Sequence, residues 1–205
     1  LEGEALAKAV RDASERLMPA PPDSLYIHWQ VVSQEPDALR VYVLGVPRRA
    51  VDRYVEVLRA ARIRPYVMDL KALAVIRVAR ARQAVVAHLE HDYVELGIVV
   101  DSMPVALRTA PLRLGREGMS ARLDALLEAA GRLIEEYQQA HQQAPVHPEA
   151  PLLVSGQVLL SQEALDYLAS RGWRPVAPIA SPIPFPQTLS VDRYIAHVGL
   201  ALKSV

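Results

Sequence analysis

Between Ala84 and Thr109 the chain passes through three short β-like runs in quick succession, Ala84–Leu89, Tyr93–Asp101 and Pro104–Thr109. The polar connections Glu90–Asp92 and Asp101–Met103 leave room only for reversal turns, so these runs predict an antiparallel meander. Few arrangements accommodate such a meander when helical patterns stand on either side of it. It constrains residues 70–205 to an α/β unit built on a mixed sheet.

The flanking patterns are clear. Ala5–Leu17 has helical spacing, with Leu6, Ala9, Val10, Ala13 and Leu17 on one face, and Pro19-Ala-Pro-Pro22 ends it. Leu25–Val32 and Ala38–Val46 read as strands about a turn at Gln34-Glu-Pro-Asp37. A second helix over Arg49–Arg62 would turn Val51, Tyr54, Val55, Leu58 and Ala61 inward. Tyr66–Asp69 reads as a short strand, which makes residues 1–69 a small α-β-β-α-β unit, an open-faced sandwich. Leu70–Arg80 reads as a third helix.

After the meander, Ser120–His141 is the longest helical pattern, with a stripe of Leu123, Leu126, Leu127, Ala130, Leu133, Ile134 and Tyr137. Leu152–Val154 reads as a buried strand ending in Ser155-Gly156. Ser161 is placed to cap a helix that Gly172 terminates. A strand over Trp173–Ala177, a proline-rich loop over Pro178–Pro186 and a helix over Ser190–Lys203, capped by Ser190, complete the order βββ-α-β-α-β-α.

Composition removes several functional classes. Half of the 205 residues are apolar and the formal net charge is zero, with no basic block, which argues against a nucleic-acid platform. Cysteine is absent, so disulfides and thiolate metal sites are excluded. No apolar run approaches the roughly 18 residues that a membrane span needs. Leu1-Glu2-Gly3-Glu4 reads as a helix start, as expected of a piece of a longer chain.

Four passages resemble the type IV pilus assembly protein PilM family, actin-like proteins with the cell-division protein FtsA as a more distant relative. Val43-Leu-Gly-Val-Pro-Arg-Arg-Ala-Val-Asp-Arg-Tyr54 is similar to the strand-to-helix passage of the family's small subdomain. Ala60-Ala-Arg-Ile-Arg-Pro-Tyr-Val-Met-Asp-Leu-Lys-Ala-Leu-Ala74 resembles its most specific motif. Leu152-Leu-Val-Ser-Gly156 looks like the strand before the adenosine-side loop, and Ala196-His-Val-Gly-Leu-Ala-Leu202 resembles the closing helix. The fold implied is an actin-like, RNase H-like α/β domain with a mixed sheet over residues 70–205. A small SHS2-like α+β subdomain over residues 1–69 accompanies it.

The resemblance also shows departures. The family's first turn reads Asp-x-Gly: its carboxylate anchors the water shell of Mg²⁺, and its glycine lets backbone N–H groups approach phosphate. Here the turn is His88-Leu89-Glu90, with an added negative charge where a polyphosphate would sit. The adenosine-side Gly-Gly becomes Ser155-Gly156-Gln157. The first strand of the small subdomain, which would precede Ala5, and the N-terminal subdomain are expected to be missing. The span Arg108–Leu152 is too short for a base-roofing subdomain.

His88, Glu90, Gly156 and Gln157 are therefore expected to be vestigial nucleotide-loop positions, with no catalytic residue, metal or cofactor. ATP and Mg²⁺ would bind only if a preceding part supplied a phosphate loop. The resemblance implies a non-catalytic cytoplasmic scaffold at the inner face of a bacterial inner membrane. It would bind the cytoplasmic peptide of a PilN-like platform protein, with no nucleic acid and no membrane span of its own, and a homodimer is compatible with it. Leu39, Val41, Val43, Arg48 and Tyr54 are the residues expected at the partner site. Two alternatives stand beside this: the actin-like domain of a type II secretion platform protein resembling GspL, and a fragment of an ATP-binding actin-like protein.

Other clusters carry weaker signals. His88, Glu90, His91 and Asp92 are the one tight group of metal-ligand types, and a solvated hairpin tip explains them more simply. Ser155 follows a strand as a nucleophile would, but Leu153 breaks the Gly-x-Ser-x-Gly pattern and no His/Asp partner set is identifiable. His28 reads as a packed or surface histidine. Arg48-Arg49 and Arg80-Ala-Arg82 read as solvated helix-end charges. The loop with Ile183 and Phe185 is a rigid connection packed on the core, or else a partner-docking surface.

Overall fold

The computed structural model describes residues 3–36, 38–112, 118–142, 145–156, 161–173, 175–186, 189 and 191–203. The chain forms two compact units, Leu1–Met68 and Asp69–Val205.

In the smaller unit, helix α1 (Gly3–Leu17) precedes a hairpin of β1 (Leu25–Gln34) and β2 (Leu39–Pro47), and α2 (Arg48–Ala60) follows. The hairpin register pairs Ile27 with Gly45, Trp29 with Val43 and Val31 with Val41, so these six residues share one face. Residues of α1 line two grooves over that face, one with Ile27 and Trp29 and the other with Val31, Val41 and Val43. On the opposite face the Tyr26 hydroxyl donates to Asp52 of α2 at 2.8 Å, and the Arg48 guanidinium lies 4.3 Å from the Tyr26 ring centre. The apolar residues buried in this unit are Leu6, Val10 and Leu25.

Two expectations fail here. Residues 66–69 form no strand, so the unit ends α-β-β-α rather than α-β-β-α-β. Tyr54 and Ala61 do not turn inward; both are exposed, Tyr54 by 67%, because α2 packs only by the half-buried Val51, Val55 and Leu58.

The larger unit is a three-layer sandwich. Its strands are β3 (Ala84–Leu89), β4 (Tyr93–Val100), β5 (Met103–Pro111), β6 (Leu152–Ser155) and β7 (Val176–Pro178), in the order β5-β4-β3-β6-β7. The meander β3-β4-β5 is antiparallel as expected, whereas β3–β6 and β6–β7 are parallel. Every residue of β3 is buried, as a central strand covered on both faces requires. Helices α4 (Met119–Ala140) and α5 (Gln162–Ser170) cover one face through Leu123, Leu126, Leu133 and Leu168. Helices α3 (Lys71–Ala79) and α6 (Ile195–Ala201) cover the other through Val75, Val78, Ile195 and Val198.

Local chemistry explains the boundaries. The Ser161 hydroxyl accepts from Ala164 N–H at 3.2 Å and caps α5, and Gly172 follows its end at φ +92°. The seventh strand begins at Val176 rather than Trp173. The last helix is shorter than expected: a 3-10 turn over Val191–Tyr194 precedes α6, and the expected cap Ser190 lies outside the described residues. In the proline-rich loop, Ile179 is buried and Phe185 packs against the α3/α6 layer, while Ile183 is 38% exposed. Among the described residues no helix is long and apolar enough to cross a membrane.

Two backbone positions carry opposite consequences. A Cβ on Gly199 would lie 1.9 Å from the Ala74 carbonyl oxygen, so α6 crosses α3 where only glycine fits. Arg62 instead holds φ +60° just past α2, where Ile63 N–H donates to Leu58 C=O at 2.8 Å in a Schellman-type end, a position that favours glycine. Gly199→Ala is expected to lose about 1–3 kcal/mol by overpacking. Arg62→Gly is expected to gain about 1 kcal/mol by relieving the left-handed conformation. Urea denaturation of both variants checks these opposite signs.

Candidate functional site

Strands β4 and β6 leave β3 on opposite sides, so the sheet order reverses between β3 and β6. In open α/β sheets such a reversal leaves a crevice beyond the carboxyl ends of the strands, and ligands bind there. Here those ends carry His88 and Ser155, which are direct partners in the parallel register.

A polar chain fills the position. His88 Nδ1 lies 2.8 Å from Ser155 Oγ, and His88 Nε2 lies 3.0 Å from Glu90 Oε1. The same carboxylate oxygen accepts from Lys71 Nζ at 2.5 Å, and Lys71 also donates to the Tyr93 hydroxyl at 2.8 Å. An ionised carboxylate only accepts, so Nε2 carries the proton and Nδ1 accepts from the Ser155 hydroxyl. Arg122 of α4 fixes the turn by donating to the carbonyls of Glu90 at 2.6 Å and His91 at 3.0 Å.

The charges follow from burial and contact. Burial pushes the His88 imidazole below its usual range against the pull of Glu90, so His88 is neutral near pH 7. Burial is the largest influence on Glu90 and Lys71 and opposes ionisation of both, yet their mutual hydrogen bond, those to His88 and Tyr93 and the charges around them together outweigh it: Glu90 is held below the carboxylate range and Lys71 is raised. Glu95, opposite His88 on β4, is pushed up by burial, and its Oε2 has no protein hydrogen-bond partner.

This geometry bears on each sequence-derived candidate. His88, expected from the resemblance at the place of a Mg²⁺-anchoring carboxylate, is a neutral imidazole in two hydrogen bonds, a poor substitute for a hard oxygen ligand. Glu90 presents its carboxylate to Lys71, so the negative charge near this lysine comes from the chain itself. Gly156 holds φ +106°, and a Cβ there would lie 2.1 Å from the Leu89 carbonyl oxygen, so the two strand exits touch through their backbones. Gln157 lies outside the described residues.

Ser155 does have the partners that the sequence failed to indicate, His88 and Glu90. With the serine 1% exposed, however, its hydroxyl cannot reach a substrate. His91 and Asp92 are exposed at the turn, and no group of three potential ligands gathers there among the described residues. Lys71, Tyr93 and Glu95 were missed. Lys71 had a signal as one of three lysines in an arginine-rich chain, and Glu95 as a lone acid in an apolar strand.

In the smaller unit, Leu39, Val41 and Val43 come together. With Leu6, Ala9, Val10, Ala13 and Leu17 of α1 they line a groove of about 770 Å³. Beyond them the outer edge of β2 pairs with no strand among the described residues. Arg48 and Tyr54 are not part of this groove; they belong to α2, with Arg48 held over Tyr26.

His88 protonates less readily in the folded chain than in the unfolded one. Its contribution to stability is complete above the ordinary value near 6.5 and declines as pH falls below it. The Glu90 contribution has its own window: present above the ordinary carboxylate range, it is lost as pH falls through the lowered folded value. Denaturant midpoints from about pH 7 to pH 5 should therefore fall more steeply for the native chain than for His88→Gln, all other histidines being shared. Parallel slopes would refute the assignment.

No protein-family model matches the chain, and no curated protein matches it in sequence. Among solved structures, the chain is similar to one in a "PilM-PilN type IV pilus biogenesis complex", at TM-score 0.60 and 21% identity, over 97% of this chain and 72% of that one. A Bacteroides thetaiotaomicron protein with an actin-like ATPase fold is similar at TM-score 0.46 and 11% identity, over 100% of this chain and 67% of that one. The ethanolamine utilization protein EutJ from Carboxydothermus hydrogenoformans is similar at TM-score 0.46 and 13% identity, over 97% and 72%. At such identities a likeness shows the fold alone, and the fold is actin-like.

Proposed function

We propose that this chain is a non-catalytic scaffold of a type IV pilus assembly platform, placed at the cytoplasmic face of the inner membrane. It captures a cytoplasmic peptide of a PilN-like inner-membrane partner and handles no nucleotide. The observation that carries the reading is the groove between α1 and β2, with its apolar floor of Leu39, Val41 and Val43 and the unpaired edge of β2 beside it. An extended peptide gains backbone hydrogen bonds from such an edge and places alternate side chains in the groove. The fold likeness to a chain of a PilM-PilN complex supports the choice of a pilus system.

The absence of nucleotide chemistry draws support from the larger unit. Glu90 engages Lys71, His88 is neutral, and the Gly156 backbone lies against Leu89. A triphosphate entering there would have to displace an internal ion pair and would leave Glu90 facing its own charge.

Calorimetry with the cytoplasmic N-terminal peptide of a PilN-type protein from the same genome tests the reading. Binding is expected for the native chain, weakened about tenfold or more by Val41→Asp and by the milder Leu39→Ser. Mg·ATP is expected to give no heat. Failure of the peptide to bind, or saturable binding of Mg·ATP by this chain, would overturn the proposal.

A further inference from the structure

Helix α2 has no fully buried residue. Val51, Val55 and Leu58 are half-buried on its packed side, while Tyr54 is 67% and Val57 69% exposed. Ala50, Tyr54, Val57 and Ala61 are spaced by four, three and four, so they form one apolar stripe directed to solvent. The chain leaving the helix continues this character, with Ile63 52%, Tyr66 89% and Met68 40% exposed.

The charge around the stripe is one-sided. Residues 48–64 hold six arginines against Asp52 and Glu56, a net +4 in a chain whose formal net charge is zero. Interleaving with apolar residues hides this excess from a search for basic runs. Arg49 and Arg53 flank the stripe along the helix. Arg49, Arg53, Arg59, Arg62 and Arg64 enter no ion pair among the described residues, and Asp52 accepts from Tyr26.

We infer that α2 seats this unit on an anionic lipid surface. Arginines that snorkel toward lipid phosphates beside a short stripe of tyrosine and valine are the features of an interfacial amphipathic helix. Charge complementarity selects the anionic headgroup. Shape favours a bilayer over an acidic peptide, since neither of the two grooves described above is lined by α2. A convex helix face suits a broad soft surface. The inference is independent of peptide capture, which uses the groove between α1 and β2.

Co-sedimentation with phosphatidylcholine vesicles, with and without phosphatidylglycerol, tests it. Partitioning is expected only onto the phosphatidylglycerol vesicles, weakening as salt rises. Arg53→Glu is expected to reduce it about tenfold or more, and Tyr54→Ser with Val57→Ser comparably. Arg16→Glu on exposed α1 changes net charge equally and is expected to leave partitioning near the native level. All four positions are exposed, so these variants should fold, and circular dichroism checks that they do. Absence of vesicle binding, equal loss with Arg16→Glu, or preference for poly-glutamate over phosphatidylglycerol vesicles would overturn the inference.

Discussion

His88 ends the central strand of a sheet enclosed by two apolar layers, and a buried imidazole is stable there only with a partner at each ring nitrogen. Ser155, its register partner on β6, satisfies one; Glu90, two residues on, satisfies the other. That second contact brings a carboxylate to the crevice, which in turn calls for Lys71 from the first turn of α3. Three elements are thereby tied at the strand ends by the needs of one side chain. The same chain of bonds occupies the place where this architecture leaves room for a ligand.

A buried acid just before α3 organises the packing of this helix on α6. The Asp69 side chain is 7% exposed and interacts with Arg77 at 2.9 Å and Lys203 at 3.4 Å, and it accepts from Leu70 N–H at 2.9 Å. Arg77 also donates to the Gly199 carbonyl at 2.7 Å, beside the crossing where Gly199 meets Ala74. Two distant passages, 69–77 and 199–203, thus meet in one joint. A glycine permits the approach and an ion cluster sets its register, an arrangement that tolerates little change at either partner.

Sequence periodicity made most of the larger unit legible. The meander stood out because its strands are apolar runs cut by two short polar turns, and α4 because its stripe from Leu123 to Tyr137 persists over about four turns of helix. Tyr66–Asp69 misled for a physical reason: alternation suggested a strand, but no neighbouring strand lies there to pair with. The acid that ends this stretch serves the ion cluster described above. Ser155 misled in the opposite way, since its partners come from a strand 67 positions away in the chain and no local pattern reveals them. Of the expected partner residues, Leu39, Val41 and Val43 alternate along β2 and line one groove. Arg48 and Tyr54 were joined to them only by nearness in sequence, which the turn into a helix undoes.

The two units differ in how far each satisfies itself. The larger has a double core and a closed strand-end crevice. The smaller has a two-stranded sheet, a size that is marginal in water without added cover, and among its described residues only Leu6, Val10 and Leu25 are buried as an apolar core. Exposed apolar area of this kind is an aggregation hazard unless something covers it or charge guards it. Both devices are visible: α1 partly roofs one face of the hairpin, and unpaired arginines border the stripe on α2. Neither device completes the core. A unit that retains an open strand edge on one side and a guarded apolar stripe on another has kept surface for contact at some loss of stability. On the proposed reading, the unit that binds is the one that remains incomplete alone, and the larger unit serves as framework.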